Sequence, residues 1–389
     1  MNRFARTSVT LLAGAAFVAA LAGCSAQTPA EPATGGPAAA SMKVKIGFAA
    51  PLTGDNAIYG EGMKRAVELA IEEANASSDA KAKGITFSIH AEDDAGDPKQ
   101  AVNVANILAG DTDVVALVGH FNSGCSIPAS PVYNEASMAM VTVSSNPQLT
   151  AQGYKVVDRV VAKDDAQGGY AGKLASDMGF DTVALIDDAT PYGQGLATEF
   201  KKAYTSAGGS IVAEDRIQPK EVNFSALVTK LKKKAPKAVY YAGAHTEGAL
   251  LSKQLKEAGL KVPVMGGDML YTPEYIKIAG ADNAEGDMAT ALGLPLEQQP
   301  KGVEFKTKYE AKYGKAPEAY DSYAYDAALT IINAVMTAGN DRAAVAEAIR
   351  AGSIDGVTGT VAFDANGDNK QQVISAYKVE GGEWKQIQQ

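Results

Sequence analysis

The chain has 389 residues, a formal net charge of −9 and only two cysteines. An acidic balance of this kind carries no electrostatic footprint for nucleic acid. The length exceeds what one hydrophobic core usually organises, so two domains are expected.

The first element is an export signal. Arg3 and Arg6 make a basic start, and an apolar stretch of thirteen residues runs from Val9 to Leu21. A membrane-spanning helix needs about 20 residues, so the stretch reads as a cleaved signal peptide, residues 1–23. Leu21-Ala22-Gly23-Cys24 resembles a bacterial lipobox, which implies cleavage before Cys24 and lipidation of its sulfur. Loss of Arg3 and Arg6 takes the mature charge to −11. Several acyl chains on one terminus would anchor stably, whereas one chain is marginal. Residues 25–41 are Ala, Pro, Gly, Thr and Ser with one Gln and one Glu. They cannot build a core and read, with Cys24, as a flexible tether with an r.m.s. reach of roughly 20–25 Å. With Cys24 lipidated, Cys125 is left alone, so burial and not an internal disulfide must hold the fold.

From Lys43 onward, short apolar runs alternate with helical patterns. Strands are expected over 44–50, 86–91, 114–119 and 139–143. Helices are expected over 60–76 and 98–108, the latter opened by Asp97 as cap and Pro98 at the first turn. A further helix follows near Ile127, with Pro128 near its start. The order restarts near residue 162: helices over 166–178, 192–207, 224–234 and 247–258 alternate with strands over 182–186, 210–214, 238–241 and 262–265. Helices over 301–313, 321–338 and 341–350 come late, and short strands close the chain from Thr358. Repeated βαβ order predicts an α/β fold of two doubly wound, Rossmann-like lobes. Lys230, Lys232, Lys233 and Lys234 end one of these helices, where cations suit the helix dipole and solvent.

In open α/β sheets, ligands sit where strands run into helices. Gly119-His120-Phe121-Asn122-Ser123-Gly124-Cys125-Ser126-Ile127-Pro128 follows a strand and leads into a helix. Its free backbone N–H groups and the hydroxyls of Ser123 and Ser126 suit a carboxylate. Thr142-Val143-Ser144-Ser145-Asn146-Pro147 places two more hydroxyls at the next strand end. In the second lobe, Pro191-Tyr192-Gly193-Gln194-Gly195 opens a helix. Val264-Met265-Gly266-Gly267-Asp268 sets an acid facing the cleft, an acceptor for an ammonium. Donors on one lobe and an acid on the other match a zwitterionic amino acid.

Most of the chain from Lys43 resembles the periplasmic branched-chain amino acid (Leu/Ile/Val) binding proteins of ABC transporters, which have the type I periplasmic binding fold. The resemblance lies in Pro51-Leu52-Thr53-Gly54 through Tyr59-Gly60, and in Asp93-Asp94-Ala95-Gly96-Asp97-Pro98-Lys99-Gln100-Ala101-Val102. It continues in Gly119-His120 through Pro128-Ala129-Ser130, Asn146-Pro147-Gln148-Leu149-Thr150, Tyr192-Gly193-Gln194-Gly195 and Phe224-Ser225-Ala226-Leu227. It implies a carboxylate-binding hydroxyl at Ser123 and a second at Ser145, with Ser144 as the neighbouring alternative. It further implies an ammonium-binding acid at Asp268 and cleft tyrosines at Tyr59 and Tyr192. Phe121 would add an apolar face, and Ala244 stands where a further tyrosine is usual. A disulfide of some relatives would join Gly96 and Asn122 here and is absent. The resemblance also implies a three-strand hinge, with lobes over 42–161 with 291–358 and over 162–290 with 359–389.

The expected function is therefore extracytoplasmic binding of an apolar amino acid for delivery to ABC transporter permease subunits, by a lipid-anchored monomer. A carrier of another small polar solute and a sensory ligand-binding domain are the alternatives. No enzyme signature competes. Tyr192-Gly193-Gln194-Gly195 is half of a dinucleotide fingerprint, and no Walker loop is present. His90, His120 and His245 lack metal spacing, and Cys125 with His120 on one short loop lacks an orienting partner. Asp364-Ala365-Asn366-Gly367-Asp368 is only faintly like a calcium loop and reads as a turn. No cofactor, metal or nucleic acid is expected.

Overall fold

A computed structural model describes residues 41–388. The signal peptide, Cys24 and nearly all of the tether lie outside the described residues. Among these residues the strands form a five-stranded sheet, a seven-stranded sheet and a two-stranded hairpin.

The first sheet comes from β1 (Met42–Ala50), β2 (Ile85–Asp93), β3 (Val114–Gly119), β4 (Ala139–Thr142) and β5 (Val157–Arg159), in the order β2-β1-β3-β4-β5. All its pairings are parallel. Its central strands are covered on both faces, so they are runs of apolar residues without alternation. Every residue of β3 is buried. The helix Pro98–Gly110 starts where the cap predicts: the Asp97 carboxylate accepts from the backbone N–H of Lys99 at 2.9 Å and of Gln100 at 2.8 Å. The helix expected near Ile127 is Ser123–Glu135, and it begins earlier than its apolar pattern suggests. Ser123 is thus its first residue, and Pro128 and Pro131 both lie inside it.

The second sheet holds β6 (Thr182–Asp187), β7 (Ser210–Arg216), β8 (Ala238–Ala242), β9 (Val264–Gly266) and β10 (Met288–Leu292), all parallel to their neighbours in that set. The hairpin is β11 (Ser353–Asp355) with β12 (Thr360–Ala362). The chain then closes the second sheet with β13 (Ile374–Glu380) and β14 (Glu383–Gln386), both antiparallel additions, giving β14-β13-β10-β9-β8-β6-β7.

The late helices Asp321–Ala338 and Arg342–Ala351 return to the first sheet, and Gly302–Tyr313 to the helix Ala57–Ala76, where Arg65 Nε donates to the Tyr309 hydroxyl at 2.8 Å. Asp321–Ala338 packs on Ala57–Ala76. Arg342 ties its helix to the first lobe by donating to the carbonyls of Val114, Ala109 and Asp111 at 2.8, 2.9 and 2.7 Å. The chain therefore passes between the sheets after β5, after β10 and after β12. The first and third passages run side by side. Arg159 N–H donates to Gly367 O at 2.8 Å, Asn369 Nδ2 to Val160 O at 2.7 Å, and Lys163 N–H to Gln372 Oε1 at 2.9 Å. This is the three-strand hinge of the type I periplasmic binding fold.

Candidate ligand-binding site

Two loops of the first lobe meet beneath the helix Ser123–Glu135. At Gly119 the backbone has φ +137°, and a Cβ there would lie 2.1 Å from Ala49 O, so only glycine lets the chain leave β3 this close to β1. His120 then turns inward. Its Nδ1 is 2.6 Å from Asp94 Oδ2 and its Nε2 is 2.8 Å from the Tyr133 hydroxyl. Both ring nitrogens are engaged, which removes any base for Cys125. Burial pushes the Cys125 thiol well up, and the carboxylates of Asp94 and Asp97 push it further. The Gly96 and Asn122 positions, which a disulfide would join in some relatives, are neighbours: a Cβ on Gly96 would lie 3.3 Å from Asn122 Oδ1.

The paired serines divide their work. Ser144 Oγ donates toward Phe121 O at 2.9 Å and lies 2.6 Å from Ser126 Oγ, so both of those hydroxyls stitch the loops together. Ser126, in the first turn of the helix, is thus spent on these loop contacts and is not a free donor. Ser123 and Ser145 instead line a small cavity with Phe121, Tyr192, Asp268 and Tyr320. Ser123 Oγ accepts from the Asn146 N–H at 3.4 Å.

The second lobe supplies the acid. Asp268 opens a short 3-10 turn after β9, and the Tyr192 hydroxyl donates to its Oδ1 at 2.8 Å. Gly267 permits this approach, since a Cβ there would lie 2.3 Å from that hydroxyl. The Tyr320 hydroxyl, from the first lobe, donates to Asp268 Oδ2. Burial raises the Asp268 pKa, and these two hydroxyl donors hold it partly down. Tyr59 crosses the cleft, donating to Met269 O at 2.9 Å. Phe121 stacks on Tyr59 with ring centroids 5.2 Å apart, and Tyr320 stands edge-on to both. Phe121 and Tyr320 line the cavity, and Tyr59, fully buried, packs against both.

Ala244 lies off the cavity. It is the cap residue of the helix His245–Glu257, packed against the core. The next residue fills the space beside Tyr59: His245 sits edge-on to it at 5.5 Å, with Nδ1 3.3 Å from the Tyr59 hydroxyl. The absent tyrosine therefore opens no pocket at this point.

Three residues missed by sequence reasoning complete the site. Tyr320 precedes a late helix and is about 260 positions from Tyr59, against which it packs. Asp164 opens the helix Asp164–Asp177, where an acid is expected for the dipole alone. It is fully buried, and neither carboxylate oxygen has a hydrogen-bond partner among the described residues. Burial pushes its pKa up to about 7; the nearby Ser145 hydroxyl, though not in good bonding geometry, favours the charged form, and Asp268 opposes it. Gln167, one turn on, is also buried with both ends of its amide unpaired.

The cavity thus has the Ser123 and Ser145 hydroxyls and a helix N-terminus on one side and the Asp268 carboxylate on the other, with Asp164 buried close by. No Lys or Arg lines it. Its volume is about 20 Å³, about one water's worth of space. Among the described residues no group of three or more His, Cys, Asp or Glu is arranged to hold a metal ion, and no helix is long and apolar enough to cross a membrane.

This fold and this cleft define a two-lobed solute-binding protein. The match to the periplasmic binding protein family spans residues 43–383, and the chain belongs to that family. It is 39% identical over 329 residues to the Leu/Ile/Val-binding protein homolog 2 of Brucella abortus (strain 2308), covering 84% of this chain and 87% of the relative. It is 36% identical over 345 residues to the leucine-, isoleucine-, valine-, threonine- and alanine-binding protein of Pseudomonas aeruginosa, covering 87% and 90%. In structure it is similar to the leucine binding protein LivK of Thermotoga maritima, with TM-score 0.82, 29% identity and coverage of 89% and 98%. It is also similar to LivJ of Streptococcus pneumoniae in complex with isoleucine, with TM-score 0.78, 26% identity and coverage of 89% and 100%.

Proposed function

We propose that this chain binds an apolar amino acid, in the leucine, isoleucine and valine class, between its lobes and hands it to the permease of an ABC transporter. The observation that carries this reading is the polarity of the cleft. Ser123, Ser145 and a helix N-terminus offer donors to a carboxylate, while Asp268 and Asp164 offer acceptors to an ammonium. Phe121 and Tyr320, backed by Tyr59, leave an apolar wall for an uncharged side chain. An acidic side chain would find no cation, and a basic one would leave its charge against rings. The names of the relatives support the same class. With this wall the preference runs to aliphatic side chains.

On this reading the protein is a carrier without catalytic activity. Cys24 is lipidated, the protein is monomeric, and it works outside the cytoplasmic membrane. The lobes follow 42–161 with 291–358, and 162–290 with 359–389. The third passage comes a few residues later than 358, since Asp326 holds the hairpin to the first lobe by accepting from the backbone N–H of Val357 and Thr358 at 2.7 and 2.9 Å.

Calorimetric titration of the common amino acids into the purified chain tests the proposal. Saturable binding of leucine, isoleucine or valine, without turnover, is the expected result. A screen won by glutamate, lysine or a sugar overturns it.

A further inference from the structure

Asp268 and Tyr320 also form part of the wall of a second, much larger chamber of about 590 Å³. That volume falls within the range of small-molecule sites, roughly 300–1,000 Å³. Apart from those two residues, its wall is separate from that of the zwitterion site described above. Its walls are rich in rings: Tyr271 stacks on Tyr377 with centroids 3.9 Å apart, and Trp384 stands at a steep angle to Tyr271 at 5.9 Å.

The charges on this wall do not balance. Lys277 is paired with Glu274 at 3.1 Å and Lys306 with Glu297 at 2.8 Å. Glu383 is paired with Lys385. Asp268 has only hydroxyl donors. The Glu318 carboxylate is half-buried and has no hydrogen-bond or ion-pair partner among the described residues.

We propose that this chamber is a second binding site, distinct from the amino-acid cleft, for a small organic ammonium compound carrying an apolar or aromatic body. An ammonium would pair with the Glu318 carboxylate, and the ring faces attract a cation as well as burying its apolar body. A neutral apolar guest would leave that carboxylate desolvated and unpaired. An anion would meet Glu318 and Asp268 with both lysines already engaged. The chamber also borders Leu294 to Gln299, the passage that leaves β10 for the first lobe. An occupant there touches one strand of the hinge and shares Asp268 and Tyr320 with the cleft. Its binding is therefore coupled to that of the amino acid, and the coupling is reciprocal.

The test is calorimetric titration of phenethylamine into the chain, alone and saturated with leucine. 2-Phenylethanol serves as the uncharged counterpart. Expected is one phenethylamine site that persists with leucine bound. Glu318→Gln should weaken it at least about tenfold, as loss of a charged hydrogen bond does, and Ala316→Trp, which puts a bulky ring on the chamber wall, should weaken it as well. 2-Phenylethanol should bind at least about tenfold more weakly. Absence of binding at millimolar phenethylamine overturns the proposal. So does binding that leucine displaces and Glu318→Gln leaves unchanged, because the amine then occupies the cleft through Asp268. The leucine titration of each variant reads the amino-acid proposal separately.

Discussion

Asp268 lines the cavity, which has no Lys or Arg on its wall, and Asp164 is buried close enough to feel its charge. Asp164 titrates near 7, because burial favours its protonated form. Below that value the group holds a proton, which an incoming ammonium must release for the pair to form; above it the charge is already present. Affinity for an amino acid should therefore rise as pH increases from about 5 to about 8 and level off beyond. Titration of leucine at pH 6 in two buffers of different ionisation enthalpy should show proton release, and Asp164→Asn should remove it. Identical heats in both buffers would rule out a role for Asp164. The same shift bears on stability. The folded pKa is raised above the unfolded value, so the folded form binds protons more tightly between about 4 and 7. Stability without ligand then falls as pH rises through that window. The serines offer a sharper comparison. Ser123→Ala and Ser145→Ala should each weaken binding by about 1–3 kcal/mol if their hydroxyls meet the carboxylate. Ser144→Ala should act mainly on melting temperature, since its hydroxyl is spent on Phe121 O and Ser126. Equal affinity losses at Ser144 and Ser145 would contradict this division.

At the scale of elements, the turn at Asp364 to Asp368 carries more than its sequence suggests. Arg159, fully buried at the end of β5, reaches it: Nε donates to Asp368 Oδ1 at 3.1 Å. The same guanidinium donates to Asn146 O at 3.1 Å, to Ser144 O, and to Thr150 Oγ1 at 2.9 Å. Two hinge passages and the loop that presents Ser145 are thus held by one side chain. Burial would raise the Asp368 pKa, but Arg159, Lys163 and Thr150 together hold it below its usual range. Arg159→Met should cost about 3 kcal/mol or more in urea unfolding, because it strands the Asp368 carboxylate. Lys163, 3.1 Å away, limits the loss. Leucine affinity should fall as well, since the Ser145 loop loses its anchor; unchanged affinity would confine Arg159 to stability. Elements with local signals were legible in the sequence. Asp97 with Pro98 located a helix start because cap and ring act on their own neighbours. The helix at Ser123 starts in Ser, Gly and Cys, which carry no apolar periodicity, so its start was placed too late. Ser123, Tyr192 and Asp268 were legible as residues of loops at strand ends. Tyr320 was not, because only the return of the late helices brings it to Asp268.

At the scale of the whole molecule, the cleft is shut by contacts made across it. Tyr59 reaches Met269 O, Tyr320 reaches Asp268, and Asn146 Nδ2 donates to Pro191 O at 2.6 Å. The cavity they enclose, about 20 Å³, admits a water and not an amino acid. Any ligand must therefore enter with the lobes apart, and these contacts must part to let it in. The hinge permits such a motion, because three passages join the lobes and two of them run together as one ribbon. On the proposed function, the ligand then supplies what the protein lacks, a cation for Asp164 and Asp268 and an anion for Ser123 and Ser145. Both ends are paired only when the lobes close on it, so the ligand has a differential affinity for the closed form. Small-angle scattering should show a smaller radius of gyration with saturating leucine than without. Tyr320→Phe removes one donor that closes the cleft on Asp268, so it should shift the ligand-free scattering toward the open form and leave the leucine-bound curve compact. Superimposable curves with and without leucine, in a sample shown by calorimetry to be saturated, would exclude closure as the binding step.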